Sequence, residues 1–205
     1  MARPAHANLD ETRRRLIEVA LPLFAEHGYD GTAVREVASA ARVNLSMISH
    51  CFGGKRNLYE AAVDEVYRRL GERGRAVMGG TVLANVDDLM AQLYTIARAE
   101  REGIRLLVRE VLDHGRLKPF TETKHFLPEI EQATRMTAGL VGVSPAQART
   151  ASVTIGYLLS RFVIQDDRSL VAAFGVRSVK EAHARAIQTL AVTARALFAA
   201  PPHKE

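Results

Sequence analysis

The chain has 205 residues, 47% hydrophobic and 25% charged, which is enough for one or two small domains with their own core. Its single cysteine, Cys51, excludes an internal disulfide and fits a reducing compartment. The start MARPAHANLDE lacks the apolar centre of a secretory signal and no apolar run is long enough to span a bilayer, so the expected setting is the cytoplasm, with no membrane partner.

Residues 1–9 read as a frayed arm containing Arg3. A helix is predicted over 10–27, with Leu16, Ala20, Leu23 and Phe24 on its apolar face and Asp10 and Glu11 at the favourable end of its dipole. Gly28 is a natural stop, and Pro22 predicts a kink, since an interior proline removes a backbone hydrogen bond. The stretch TAVREVASAARVNLSMISHCF, residues 32–52, then reads as two short helices joined by a tight turn. Thr32 is the expected cap of the first, and Val34, Val37, Ala38 and Ala41 form its stripe. Asn44 is the expected cap of the second, whose apolar positions are Met47, Ile48 and Phe52 and whose other side is a short mixed face of Leu45, Ser46, Ser49 and His50.

A short helix with such a face, set by a turn against another helix, is a helix-turn-helix, and its second helix fits a DNA major groove. The competing reading is an ordinary pair of core helices. The net charge of +5 favours a polyanionic partner only weakly, but its distribution says more. Arg13, Arg14 and Arg15 cluster at the start of the first helix, and Arg35, Arg42, Lys55 and Arg56 bracket the two short ones. Leu45, Ser46, Met47, Ser49 and His50 are the candidates for facing bases; Thr32, Arg35, Asn44, His50 and Lys55 are better placed for phosphates. Few of these can grip a base through two hydrogen bonds, so recognition is expected to lean on thymine methyls against Leu45 or Met47 and on DNA shape.

After Gly53-Gly54 a long helix is predicted from Arg56 to about Gly71, with a possible extension to Met78, patterned by Leu58, Ala62, Val63, Val66 and Leu70. Further helices are expected over 86–101, 103–115, 124–141, 145–166 and 178–199, with little strand signal. Gly103 and Gly115 punctuate the second of these, and Pro119 with the TETK run marks a loop. Ser144-Pro145 is a cap followed by proline at the first helical position. Residues 167–177 read as irregular, before a new cap at Ser178.

From LIEVALPLFAEHGYDGTAVREVASAARVNLSMISHCFGGKRNLYEAAV the chain resembles the tetracycline-repressor (TetR) family of bacterial transcription regulators. The marks are the Leu23-Phe24 pair, the Gly28-Tyr29 exit, Thr32, Val37-Ala38, the 43–52 helix, Lys55 and Leu58-Tyr59. They cover roughly residues 10–66. The sequence departs from the family at Arg42, where glycine is common, at Ser49, where a phosphate-binding tyrosine is frequent, and at Met47 and Cys51. The resemblance implies an all-α fold: a three-helix DNA-binding domain over 1–55, then a helical ligand-binding and dimerisation domain over 56–205. It also implies a repressor that binds operator DNA and is released by a small-molecule effector.

The later helices carry two further expectations. Ala148, Ser152, Ile155, Leu159 and Phe162, with Ala182, Ala186, Leu190, Ala194 and Leu197, form stripes on 145–166 and 178–199 that either pair with a second copy into a homodimer or face their own core. Tyr94, Arg98, Arg109, His125, Thr154, Tyr157 and Arg161 are polar groups among apolar neighbours. They either converge on an effector pocket or reach solvent and acidic partners. Cys51 beside the reading helix raises a redox-responsive alternative, although a lone cysteine more often serves as a small apolar residue. His125 with Glu129, and His114 with Glu110, have metal-ligand spacing but make no complete site. No nucleophile motif, cofactor loop or Cys/His cluster supports an enzyme. An architectural DNA binder without effector is the remaining alternative.

Overall fold

The structure is a computed structural model that describes residues 5–80 and 85–199; Arg3 lies outside the described residues. It is all-α, with no strand among the described residues. The chain divides into two compact units: Met1–Arg69 with Glu102–Thr121, and Leu70–Arg101 with Glu122–Glu205.

The first unit contains α1 (Ala5–Gly31), α2 (Val34–Ala40), α3 (Ser46–Phe52), the first part of α4 (Lys55–Gly80), most of α6 (Arg101–His114) and the short turn α7 (Pro119–Thr121). Its core joins Leu16, Ala20 and Phe24 of α1, Val37 and Ala38 of α2, Ile48 and Phe52 of α3, and Leu58, Ala62, Val63 and Val66 of α4, all buried. These are the positions that the spacing of three and four selects. Pro22 lies on the exposed side of α1, and the helix runs through it without leaving helical angles. The expected kink is instead at Gly28, with φ 73° and ψ 176°, where a left-handed backbone angle needs glycine.

Two other expectations in this unit are corrected. Thr32 does not cap α2: Ala33 holds that position, without a side-chain bond. The Thr32 hydroxyl is buried and donates inward, 2.8 Å from the Gly28 carbonyl and 3.2 Å from that of Leu23, closing the break in α1. Gly103 does not interrupt α6. It is buried within the helix, and a Cβ there would stand 2.8 Å from both Val66 methyls, so glycine lets α6 approach α4 closely. Gly115, at φ 70°, ends α6 as expected. The Pro119–TETK segment is helical rather than a loop: α7 leads into one π-helical turn, Glu122–Phe126.

The second unit is a bundle of α5 (Val86–Ala99), α8 (Leu127–Val141), α9 (Pro145–Ile164), α10 (Asp167–Phe174) and α11 (Val179–Ala199). Ser144 caps α9 as read, its hydroxyl accepting from the Gln147 N–H at 3.3 Å. Ser178 accepts from the Glu181 N–H, and Glu181 accepts in return from the Arg177 N–H, a reciprocal box at the start of α11. Residues 167–174, read as irregular, form α10. Asp166 caps it, accepting from both the N–H and the hydroxyl of Ser169, and Leu170 is fully buried. Eight residues carry too short a stripe to stand out by periodicity; the cap and one buried leucine decide the helix.

Of the stripe residues, Ala148, Ile155, Ala182, Ala186, Leu190 and Ala194 are buried within this bundle and face their own core, whereas Ser152, Leu159, Phe162 and Leu197 are half-buried. The outward face of α9 carries Gly156 and Tyr157, and that of α11 carries Ala184, Gln188 and Val192.

Candidate nucleic-acid interface

The helix α3 is set by its neighbours. Arg13 donates to the Cys51 carbonyl at 2.5 Å and lays its guanidinium 4.3 Å from the centre of the Phe52 ring, so α1 holds the C-terminal end of α3. Gly53 then ends α3 in the left-handed region at φ 77°. At the other end Leu45 holds the cap position without a side-chain bond, and Asn44, the expected cap, stands one residue before it and accepts from the N–H and the hydroxyl of Ser46, both at 3.0 Å. The turn between the helices places Arg42 at φ 53°, where its side chain costs about 1–2 kcal/mol relative to glycine.

What remains outside is a compact polar and apolar face. Leu45 is 48% exposed, Ser46, Ser49 and His50 are exposed, and Met47 is half-buried, while Ile48 and Phe52 point inward. Arg35 and Asn44 are exposed and Lys55 is half-buried. Thr32, Arg35, Leu45 and Lys55 share the lining of one open depression of about 500 Å³. The Lys55 ammonium donates to the Asp30 carbonyl at 3.3 Å and stands 4.7 Å from the centre of the Tyr29 ring. Eight of the nine residues read as DNA contacts thus keep exposed or half-exposed side chains. Thr32 is the exception: its hydroxyl is used inside the protein and shapes the turn instead of reaching outward.

Two residues that matter to this face were not read from the sequence as supports. Arg13 was counted among the basic cluster, but it braces α3. Lys118 lies 3.6 Å from the centre of the Tyr29 ring and 4.4 Å from that of Tyr59. No local pattern announces it, because its partners are far away in the chain. The Cys51 thiol is half-buried, and burial pushes it up more than nearby Arg13 lowers it.

The residues read as an effector pocket do not form one cluster. Arg109 belongs to the first unit, where it pairs with Asp113 at 2.8 Å and donates to the Glu26 carbonyl. In the second unit the Tyr94 hydroxyl meets His183 Nδ1 at 2.7 Å, His183 Nε2 lies 3.3 Å from Asp167, and Arg98 binds the same Asp167 oxygen at 2.7 Å. Arg98 and Arg101 also donate to the last carbonyls of α9, at Val163, Ile164 and Gln165. Tyr157 is 65% exposed and Arg161 is exposed, while Thr154 and His125 are half-buried. For Arg98 and Arg161 the alternative reading, an acidic partner or solvent, is the observed one. Among the described residues no cluster of three or more His, Cys, Asp or Glu side chains could hold a metal ion, and no helix is long and apolar enough to cross a membrane.

Residues 16–62 match the family model described as bacterial regulatory proteins, tetR family. Over 104 residues the chain is 46% identical to a probable HTH-type transcriptional regulator, YttP, of Bacillus subtilis, covering 49% of this chain and 50% of that protein. It is 39% identical over 61 residues to the HTH-type transcriptional repressor AcnR of Corynebacterium glutamicum, covering 30% and 32%. The chain therefore spans half or less of the length of these curated relatives. The fold is similar along more of the chain. A TetR-like transcriptional regulator from Rhodococcus aligns with TM-score 0.64 at 16% identity over 90% of this chain and 96% of that one. The ketosteroid transcriptional regulator KstR2 of Mycobacterium tuberculosis aligns with TM-score 0.63 at 17% identity over 90% and 93%. Residues 16–62 thus match the tetR family of bacterial regulatory proteins in sequence, and the chain as a whole is similar in fold to TetR-like regulators.

Proposed function

We propose that the protein is a homodimeric transcriptional repressor that binds a two-fold symmetric operator through α3. The observation that carries this reading is the outward face of that helix. Leu45, Ser46, Ser49 and His50 stand exposed on a helix whose other side is fully packed, with Arg35, Asn44 and Lys55 around it. Leu45 and Met47 would touch thymine methyls, and Lys55, Arg35 and Asn44 would meet phosphates. One reading helix per chain requires two copies, with half-sites about 34–36 Å apart. The outward faces of α9 and α11, with Tyr157 and Val192 exposed, are the proposed contact between copies.

A titration of duplex DNA fragments by gel retardation tests this. The expected result is a retarded species whose formation follows dimer concentration and weakens with salt. Failure to retard any duplex at low salt sinks the reading.

A small-molecule effector that releases the operator is the second part of the proposal. It must bind more tightly to the form that does not fit DNA, because equal binding shifts nothing. One observation favours a regulator without an effector: Tyr94 and Arg98 are already committed to His183 and Asp167. A compound that raises the melting temperature and lowers operator affinity about 5–150-fold supports the effector form. Stabilising compounds that leave operator affinity unchanged favour the other.

A further inference from the structure

Two ammonium groups share one aromatic ring in the first unit. Lys118, in the segment between α6 and α7, sits 3.6 Å from the centre of the Tyr29 ring and 4.4 Å from that of Tyr59. Lys55, at the start of α4, sits 4.7 Å from the centre of the same Tyr29 ring. The two rings meet edge to face, with centres 5.2 Å apart at 82°, and Phe24 meets the edge of Tyr59 at 5.0 Å. The pair is anchored from within. The Tyr59 hydroxyl donates to buried Glu110 at 2.9 Å, and the Thr121 hydroxyl reaches the same oxygen at 3.3 Å.

Ring faces carry negative potential, so Lys118 draws both tyrosines around itself. Tyr29 is the first residue after the left-handed break at Gly28, and the next carbonyl, that of Asp30, accepts from the Lys55 ammonium at 3.3 Å. Whatever holds Tyr29 therefore sets the acceptor and the ring on which Lys55 rests. We propose that Lys118 is a positioning residue for DNA binding: by clamping Tyr29 against Tyr59 it fixes the turn that aims the Lys55 ammonium. Like charge adds to the effect, since Lys118 opposes any deeper seating of Lys55 on the shared ring. Burial holds the Lys118 ammonium below its ordinary value, and Lys55 and Arg56 lower it further against the pull of Glu110 and Asp30. Lys118 lies outside the 16–62 segment that the family model matches.

The inference rests on the reading that Lys55 meets a DNA phosphate, and the experiment separates the two. Full-length Lys55→Ala, Lys118→Met, Lys118→Arg and the Lys55→Ala/Lys118→Met double variant are titrated with a retarded genomic duplex and a random duplex over a range of salt. Their melting temperatures are recorded alongside. Lys55→Ala is expected to flatten the salt slope by about one unit. Lys118→Met should weaken both duplexes about 5–10-fold, and about 2-fold or less once Lys55 is absent. The double variant should flatten the slope by about one unit, not two. Lys118→Arg, which keeps the cation on the rings, should restore binding. Additive losses with a slope change of about two units would mean that Lys118 is a phosphate contact of its own and would overturn the proposal. Undiminished binding by Lys118→Met overturns it as well. No effect of Lys55→Ala overturns the phosphate reading and the inference with it. If Lys118→Met does not fold, Lys118→Gln takes its place in the same cycle.

Discussion

In the first unit Arg35, Ser46, Ser49 and His50 face solvent around one short helix, whereas in the second the polar groups of α5, α10 and α11 turn onto one another. Both units are built from the same material: apolar stripes at helical spacing, capped helices and a generous supply of arginine. The difference lies in where charge meets its partner. A side chain exposed on a well-packed scaffold can still give its hydrogen bonds to a phosphate or a base edge. A guanidinium that already holds Asp167 and two backbone carbonyls has little left for a ligand. Arginine count therefore says less about binding than the fate of each guanidinium.

The comparison breaks first if the scaffold of the first unit is not what holds the reading face. Phe24 is fully buried and packs on Tyr59. Phe24→Ala should cost about 3–5 kcal/mol of stability in denaturant titration, with DNA binding lost alongside folding. A folded variant that binds normally would show that the face does not depend on that core. In the second unit, Arg98→Ala removes the charged bond to Asp167 and should cost about 1.5–3 kcal/mol without changing operator choice. If it leaves melting unaltered yet changes the response to a stabilising compound, the inward cluster is a ligand site after all.

The exposed face should behave in the opposite way. Leu45→Ala or Met47→Ala should shift preference at one base pair by about 1–3 kcal/mol. At exposed Leu45 stability should move by only about 0.5 kcal/mol. Selection from a random pool measures this, and an unchanged consensus would mean that the face reads no bases. The smallest expected effect is at the turn. Arg42→Gly relieves the side chain at φ 53° but loosens the unfolded chain, for a net gain of about 0.5–1 kcal/mol in thermal unfolding. A net loss would mean that the Arg42 side chain stabilises the turn by more than its backbone angle costs.

Several elements were legible because their signal is local. Ser144 and Ser178 act as caps where short polar side chains precede helices, and Gly28, Gly53 and Gly115 adopt the angles that glycine tolerates best. Pro22 misled because it lies on the exposed side of α1, where the Glu18 carbonyl it leaves without a helical donor can face water. Gly103 misled in the other direction: a glycine that looks like punctuation makes room for Val66 of another helix. Thr32 was visible as a small hydroxyl at a helix start, but whether its oxygen faces a neighbouring N–H or carbonyls of the preceding helix depends on how the chain turns at Gly28.

By itself the sequence determined the all-α class, the helix-turn-helix over 32–52, and which residues of its second helix face outward. Each of these follows from the 3.6-residue period, capping chemistry and the φ preference of glycine, all of which act within a few residues. Only the tertiary structure decided that six of the ten stripe residues of α9 and α11 are buried in their own bundle, that Arg98 is held by Asp167, and that Lys118 and Lys55 meet on one ring. Those outcomes join positions tens of residues apart. Periodicity says that a face is apolar but not what covers it, and charge says that a partner is needed but not where the fold will supply one.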